Sequence, residues 1–312
     1  MRSRRVLAIA SALVVTAGAC SRSKSPTSPQ DPPVVSNPAP SPGSISPTVS
    51  AMLGELPNYI AWALTDNQNS LPRNPHLTTQ LQAKIAMLGS PTLANDITSG
   101  RRWSEGSVTS MNGRTVPIAA LFPLESMRAD ASQDVRAIER ALPVLEGFMA
   151  APIAASAIRI WYGFIIGNRG GGGTIHTEDR ATYEARTGPD RLPHEAILDH
   201  ELSHTYIGHE GLNQFLELYV YNVVQTGSPD VRAWVFDREY QAWRASNEGI
   251  HALLDVYQLI GRERMAGAYG AVTPLRPPYG QPLSAECRQV FVEHAPPEVR
   301  AQVAEKMARV TY

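Results

Sequence analysis

Five consecutive residues, His200-Glu201-Leu202-Ser203-His204, carry the densest chemistry in the chain. Histidines four apart on a helix project from one face with Cβ atoms about 5–6 Å apart, close enough for both rings to reach one Zn²⁺ at about 2.0–2.1 Å. Glu201, one residue past the first histidine, leans over the open side of such an ion. A carboxylate there can take a proton from an activated water and pass it to a leaving group. With 8 histidines in 312 residues, an HExxH arises by chance in on the order of one such chain in a hundred. The five residues therefore read as a metal site rather than as two surface histidines beside a solvated glutamate, and the ion implied is one Zn²⁺ per chain.

A catalytic zinc takes three protein ligands and keeps one position open. His209, Glu210 and Glu217 are the candidates for the third. Were the helix to continue past His204, residue 210 would point about 240° away and lie about 9 Å further along. A break at Gly208 makes Glu210 available, and at the start of a following helix its carboxylate gains from the positive end of the helix dipole. Glu217 lies two turns further on, roughly 10 Å along the same face, so only one of the two glutamates can ligate. Glu210 fits best on these grounds, with His209 and Glu217 as alternatives.

These side chains need elements to hold them. Pro193 presets the first turn of a helix predicted to run through Ile197 and the HExxH residues to Tyr206, where Gly208 breaks it. A second helix carries Leu212, Phe215, Leu216, Tyr219 and Val223 inward, and a third spans about 237–260 with Trp243, Ile250, Leu253, Leu254 and Tyr257 as its apolar side. The tail from Glu298 to Val310 is again amphipathic. Upstream, Val135, Ile138, Leu142 and Leu145 form a helix stripe entered by Ser132 and left at Gly147, with Pro143 expected to kink its last turn. Ile158, Ile160, Tyr162, Phe164 and Ile166 alternate as a strand. Gly170 to Gly173 lack the GK[ST] ending of a phosphate loop and read as a flexible turn into Thr174–Glu178, a strand expected to border the cleft. Further upstream, Leu77, Leu81, Ile85 and Leu88 fall at helical spacing before Gly89. Val108–Met111 and Arg114–Ile118 flank Asn112-Gly113, a type I′ hairpin signal.

The chain opens with three arginines in its first five residues, then an apolar run too short to span a membrane, the pattern of a secretory signal. That run ends in Ala17-Gly18-Ala19-Cys20, which resembles the lipobox of bacterial lipoproteins, although Ala17 stands where Leu is usual. The resemblance implies that Cys20 becomes the lipidated first residue. Ser21 in place of the retaining Asp points to the outer membrane. Residues 21–50 are dominated by Ser and Pro and cannot bury a core, so they read as an extended tether, with folding expected from about Ala51. A formal net charge of −1 and no basic block after the signal argue against a nucleic-acid partner. Cys287 is the only other cysteine, so a lipidated Cys20 leaves no intrachain disulfide.

His200-Glu201-Leu202-Ser203-His204 followed by Glu210-Gly211-Leu212 resembles the HExxH and downstream EG motif of the gluzincin metallopeptidases, especially the peptidase MA-like proteins and the large zinc aminopeptidases. In those families the Glu of the EG pair is the third zinc ligand, which supports Glu210. Leu259-Ile260-Gly261-Arg262-Glu263-Arg264 is similar to their late helix pair. Two departures stand out. Only five residues separate His204 from Glu210, closer to metzincin spacing, yet metzincins place Gly where this chain has Ile207 and use His or Asp at position 210. Relatives also supply an oxyanion-stabilising Tyr about where this chain has Ser246. Tyr240 and His251 are the nearest donors of the right chemistry.

The expectation is an α+β, thermolysin-like metallopeptidase catalytic domain: a small mixed sheet, the HExxH helix and a mostly helical C-terminal lobe. It divides into a signal peptide at 1–19, a tether at 20–50, a mixed segment at 51–125 and a zinc metallopeptidase-like domain at 126–312. Zn²⁺ held by His200, His204 and Glu210 would act on a peptide or protein substrate, Glu201 would be general base and acid, and the membrane would be reached through lipid on Cys20. Two other readings are a non-catalytic envelope lipoprotein with a structural zinc or peptide-binding cleft, and a zinc hydrolase of a non-peptide amide.

Overall fold

Alternating apolar residues in two neighbouring segments create the sheet on which the molecule is built. The computed structural model describes residues 45–187, 192–230, 248–277 and 281–310. Strands β1 (Trp103–Thr109), β2 (Thr115–Leu121), β3 (Ile158–Tyr162), β4 (Arg169–Gly171) and β5 (Thr174–Thr177) make one mixed sheet in the order β1-β2-β3-β5-β4. The β1–β2 and β4–β5 pairs are antiparallel, whereas β2–β3 and β3–β5 are parallel. A parallel pair needs a crossover, and between β2 and β3 it is helix α4 (Arg128–Met149), preceded in the chain by α1 (Pro47–Ser70), α2 (Thr78–Leu88) and α3 (Leu93–Ser99).

The central strands are buried on both faces, as the period of two requires when helices cover each side. Ile118, Ala120, Ile158, Ile160 and Tyr162 face a core shared with Val135, Ile138, Leu142 and Leu145 of α4. Ala119, Leu121 and Trp161 face the other way, onto Val49, Met52 and Leu56 of α1. The sheet therefore joins strands from 51–125 with strands from 126–312, and Ile45–Tyr312 forms one compact unit. The remaining helices are α5 (Arg180–Thr187), α6 (His194–Ser203), α7 (Glu210–Thr226), α8 (Glu248–Val272), α9 (Ala285–His294) and α10 (Arg300–Met307). Glycine at 261 adopts φ 80 and ψ 169, breaking α8 into two helical stretches within Leu259–Arg264. No described helix is long and apolar enough to cross a membrane.

Several boundaries differ from the sequence reading. Helix α1 starts at Pro47, inside the stretch expected to be tether, because Ser46 accepts a hydrogen bond from Val49 N at 3.2 Å and caps it. Helix α4 runs through Gly147 and ends where Ala150 turns left-handed, at φ 50. Strand β3 stops at Tyr162, since Gly163 takes φ 79, although Phe164 and Ile166 are buried as expected. The β1–β2 connection is not type I′: Asn112 has no positive φ, Gly113 has φ 81, and Ser110 bonds both Gly113 N and Arg114 O at 2.8 Å. That is a three-residue loop closed by a left-handed glycine. The expected helix over about 237–260 is described only from Glu248, with Ile250, Leu253, Leu254 and Tyr257 buried; Trp243, Tyr240, Ser246 and Cys20 lie outside the described residues.

Candidate metal centre

Helix α6 begins after Pro193, which serves as its N-cap, and it is clamped at that end by a buried polar cluster. His194 Nδ1 lies 3.4 Å from Asp134 of α4, His194 Nε2 lies 3.1 Å from Thr177 Oγ1 of β5, and Arg180 reaches Glu195 at 2.8 Å and Asp134 at 3.3 Å. Burial pushes the Asp134 carboxyl up, against the pull of His194 and Arg180. Leu198 and Leu202 seat the helix in the main core. Its opposite side meets strand β4 so closely that a Cβ on Gly170 would fall 2.2 Å from the Glu201 carbonyl oxygen. Only glycine fits there.

The helix ends earlier than the spacing suggested. Ser203 is its last residue and His204 its C-cap, with a turn through Thr205 and Tyr206 rather than a break at Gly208. The turn is tied down from both sides. Ser203 Oγ donates to the His200 carbonyl at 2.7 Å and to Asn213 Oδ1 at 3.0 Å, and Asn213 Nδ2 donates to the Ile207 carbonyl at 2.7 Å. His209, at the N-cap of α7, accepts from Leu212 N at 3.3 Å. The chain then folds back, so that residue pairs 203 with 213 and 200 with 217 meet: α7 runs antiparallel to α6.

That reversal brings Glu210 onto the histidine face. His200 Nε2 and His204 Nε2 are 3.2 Å apart. Glu210 Oε2 lies 3.0 Å from the first and Oε1 lies 3.5 Å from the second. A tetrahedral ion with ligands at about 2.0–2.1 Å needs ligand–ligand edges of about 3.3 Å, and these separations bracket that value. His200, His204 and Glu210 are the described residues whose donor atoms cluster tightly enough for a metal. His209, the second candidate, is committed to capping α7. Glu217, the third, approaches the other side of His200, with Oε2 3.0 Å from Nδ1. An ionised carboxylate has no hydrogen to give, so Nδ1 donates to it and the Nε2 lone pair is left facing the cluster. His204 Nδ1 lies 3.2 Å from the Ile207 carbonyl and 2.5 Å from Asn213 Nδ2, which tie this ring to the turn and to α7.

The electrostatics favour positive charge at the convergence point. Burial works against a charge on His200, but hydrogen bonds to Glu210 and Glu217 outweigh it and push the ring up to about 10. Burial also opposes charge on Glu210, yet the two histidines hold its carboxyl well below the usual range. Burial raises the carboxyls of Glu217 and of Asp199. Glu201, 6% exposed, is lifted by burial to about 7 against the pull of His200 and His204. A proton can bridge two imidazoles and a carboxylate; a divalent metal does so with better geometry, and the donor set of two nitrogens and an oxygen suits zinc.

Two recesses meet at this cluster. The larger, about 550 Å³, is lined by His200, Glu201, Glu210 and Glu217 together with Tyr183, Arg186, Leu192 and Ile197. The smaller, about 300 Å³, is lined by Arg169, Gly170, Glu201, His204 and Glu210. The edge of the sheet that borders the site is β4, not Thr174–Glu178, because β5 is paired on both sides. His251 is half-buried on α8 and is not among the described residues lining either recess. Asn213, Ser203, Asp134 and Arg186 escaped the sequence reading; no local motif marks them.

No protein-family model matches the chain, and no curated protein matches it. Among solved structures it is similar to an M1 zinc metallopeptidase from Deinococcus radiodurans, with a TM-score of 0.42, 11% identity, and coverage of 67% of this chain and 52% of that one. The chain thus spans about half the length of that structure.

Proposed function

We propose that this protein is a zinc-dependent hydrolase of peptide bonds, with His200, His204 and Glu210 holding the ion and Glu201 moving the proton. The observation that carries this reading is the convergence of the two Nε2 atoms and the Glu210 carboxylate at 3.0–3.5 Å, beside a cleft into which Glu201 faces. When bound there, zinc would supply Lewis acidity toward a carbonyl oxygen and toward water. Glu201, buried beside the cluster and lining the cleft, is placed to accept a proton from the attacking water and return it to the departing amine nitrogen as the C–N bond breaks. Glu217 holds the His200 ring from its Nδ1 side, and Asn213 with the Ile207 carbonyl holds the His204 ring.

The same reading takes the α+β scaffold as a thermolysin-like catalytic unit, supported by the order of β3, sheet edge, HExxH helix and ligand helix. It takes Cys20 as the site of a lipid anchor in the cell envelope, a reading carried by sequence alone. The rival in which zinc only staples helices together needs a fourth ligand, and among the described residues the donor cluster holds three, His200, His204 and Glu210, without His209.

The test is metal content and hydrolysis of a broad peptide library by the wild type and Glu201→Gln. The substitution keeps size and removes the basic carboxylate, so one zinc per chain is expected in both proteins, with hydrolysis lower by about 10²–10⁴-fold in the variant. Equal cleavage by the two zinc-loaded proteins sinks the mechanism. No cleavage by either favours the structural or binding reading.

A further inference from the structure

The larger recess does not end at the metal cluster. Its lining also takes in Tyr183, Arg186 and Thr187 of α5, with Leu192 and Ile197. Arg186 is the only Arg or Lys among the described residues lining this recess, which Glu201, Glu210 and Glu217 also line. Its guanidinium is braced from behind. Nε donates to Glu178 Oε1 at 2.9 Å and Nη2 donates to the same oxygen. The Glu178 side chain is 0% exposed. The guanidinium also lies over the Tyr183 ring, 5.7 Å from its centroid.

A guanidinium carries N–H groups on all three nitrogens in a rigid plane. Glu178 takes hydrogens from Nε and Nη2; among the described residues, the Nη1 edge has no protein partner. Arg186 keeps 32% of its side chain exposed, so a group fixed on one edge presents the other to the recess. Its planar fork matches a carboxylate in two parallel hydrogen bonds. The body of the residue bearing that group would lie on Tyr183, Leu192 and Ile197.

We propose that Arg186, positioned by Glu178, is a specificity-determining residue that receives a carboxylate of the bound peptide. The source of the carboxylate is the free C-terminus of the peptide or an Asp or Glu side chain. The inference rests on the peptide reading above, and its test is chosen to fail separately from it.

Binding is measured by calorimetry to the full-length, zinc-loaded Glu201→Gln protein, so that ligands are not consumed. Four peptides of equal length serve as probes: one without acidic side chains and with a free C-terminus, its C-terminal amide, the amide scanned with Glu, and the amide scanned with Gln. At least one acid is expected to bind about tenfold or more tightly than its neutral partner, the range of a charge-assisted hydrogen bond. Free acid over amide assigns the C-terminus, and Glu over Gln assigns a side chain. Adding Arg186→Gln should abolish the preference, and Arg186→Lys should restore part of it. Because Arg186→Gln alone strands the buried Glu178, the paired change Arg186→Gln with Glu178→Gln supplies a variant without a buried unpaired charge, in which the preference must also be lost. Equal affinity for acids and neutral partners overturns the proposal while leaving peptide hydrolysis intact, as does a preference that survives the paired change. Absence of binding by all four overturns it together with the peptide reading.

Discussion

Glu217 shows how much a residue's role depends on which atom it meets. By distance along a single helix axis it competes with Glu210 for the metal, but in the folded protein its carboxylate sits on the Nδ1 side of His200, 3.0 Å away. Glu217→Gln should therefore keep the fold and the zinc stoichiometry while weakening zinc affinity by about 10–100-fold, as loss of an outer partner does; competition against a chelator measures this. Glu210→Ala should weaken zinc much further. If Glu217→Ala strips the zinc and Glu210→Ala retains it, the two roles exchange. The HExxH residues and Glu210 were legible because their spacing is local. The Asn213–Ser203 tie and the Glu217–His200 contact were not, because they form only once α7 has reversed against α6.

At the scale of elements, the tightest joint in the site is that between β4 and α6. The carbonyl of Glu201 lies where a side chain at Gly170 would begin, at 2.2 Å, and backbone cannot give way as a flexible side chain does. Gly170→Ala should push the sheet edge from the HExxH helix, lowering stability by about 1–3 kcal/mol in the manner of an overpacked core. Denaturant titration measures the loss, and a variant as stable as wild type would show that the two elements are not in fixed register. The glycine run was read from sequence as a flexible turn. Gly171 and Gly172 do serve the turn, meeting nothing within 4 Å and taking φ 154 and 56, whereas Gly170 serves closeness of approach; composition cannot distinguish the two because both ask for the absent Cβ.

For the whole molecule, the far face of the sheet carries a pH dependence separate from the metal cluster. His176 of β5 is stacked against Tyr59 of α1 and its Nδ1 lies 2.9 Å from the Tyr59 hydroxyl. Burial, then the neighbouring Arg169 and Arg159, lower its pKa to about 4, against the opposing pull of Asp66. A histidine with a depressed folded pKa binds its proton more readily when unfolded. Its contribution to stability is thus complete above about 6.5 and is lost as the pH falls from there toward about 4, a change of at most about 3 kcal/mol. His176→Gln should flatten the stability profile in that window; an unchanged acid limb in urea titrations would contradict the assignment. At the other end of the chain, Cys20→Ser should release the protein from the membrane fraction, and unchanged partition, or an unmodified N-terminus by mass spectrometry, would remove the lipid anchor.

The sequence by itself determined what depends on neighbours within a few turns. The histidine pair and its intervening Glu, the stripe of α4, the helix of Leu81 and Leu88, the apolar face of α7 and the glutamate after the helix break all follow from periodicity and local spacing. The tertiary structure alone decided which strand forms the sheet edge, which nitrogen each carboxylate meets, and which cation joins the lining of the cleft. Strand order depends on pairing between segments tens of residues apart, and the direction of a ring depends on whichever carbonyl or carboxylate packing brings to its second nitrogen. Neither leaves a period in the chain. Glu178, just past β5, and Arg186, in the last turn of α5, become one braced guanidinium only where β5, paired on both sides, and α5 are packed beside the recess that Arg186 lines.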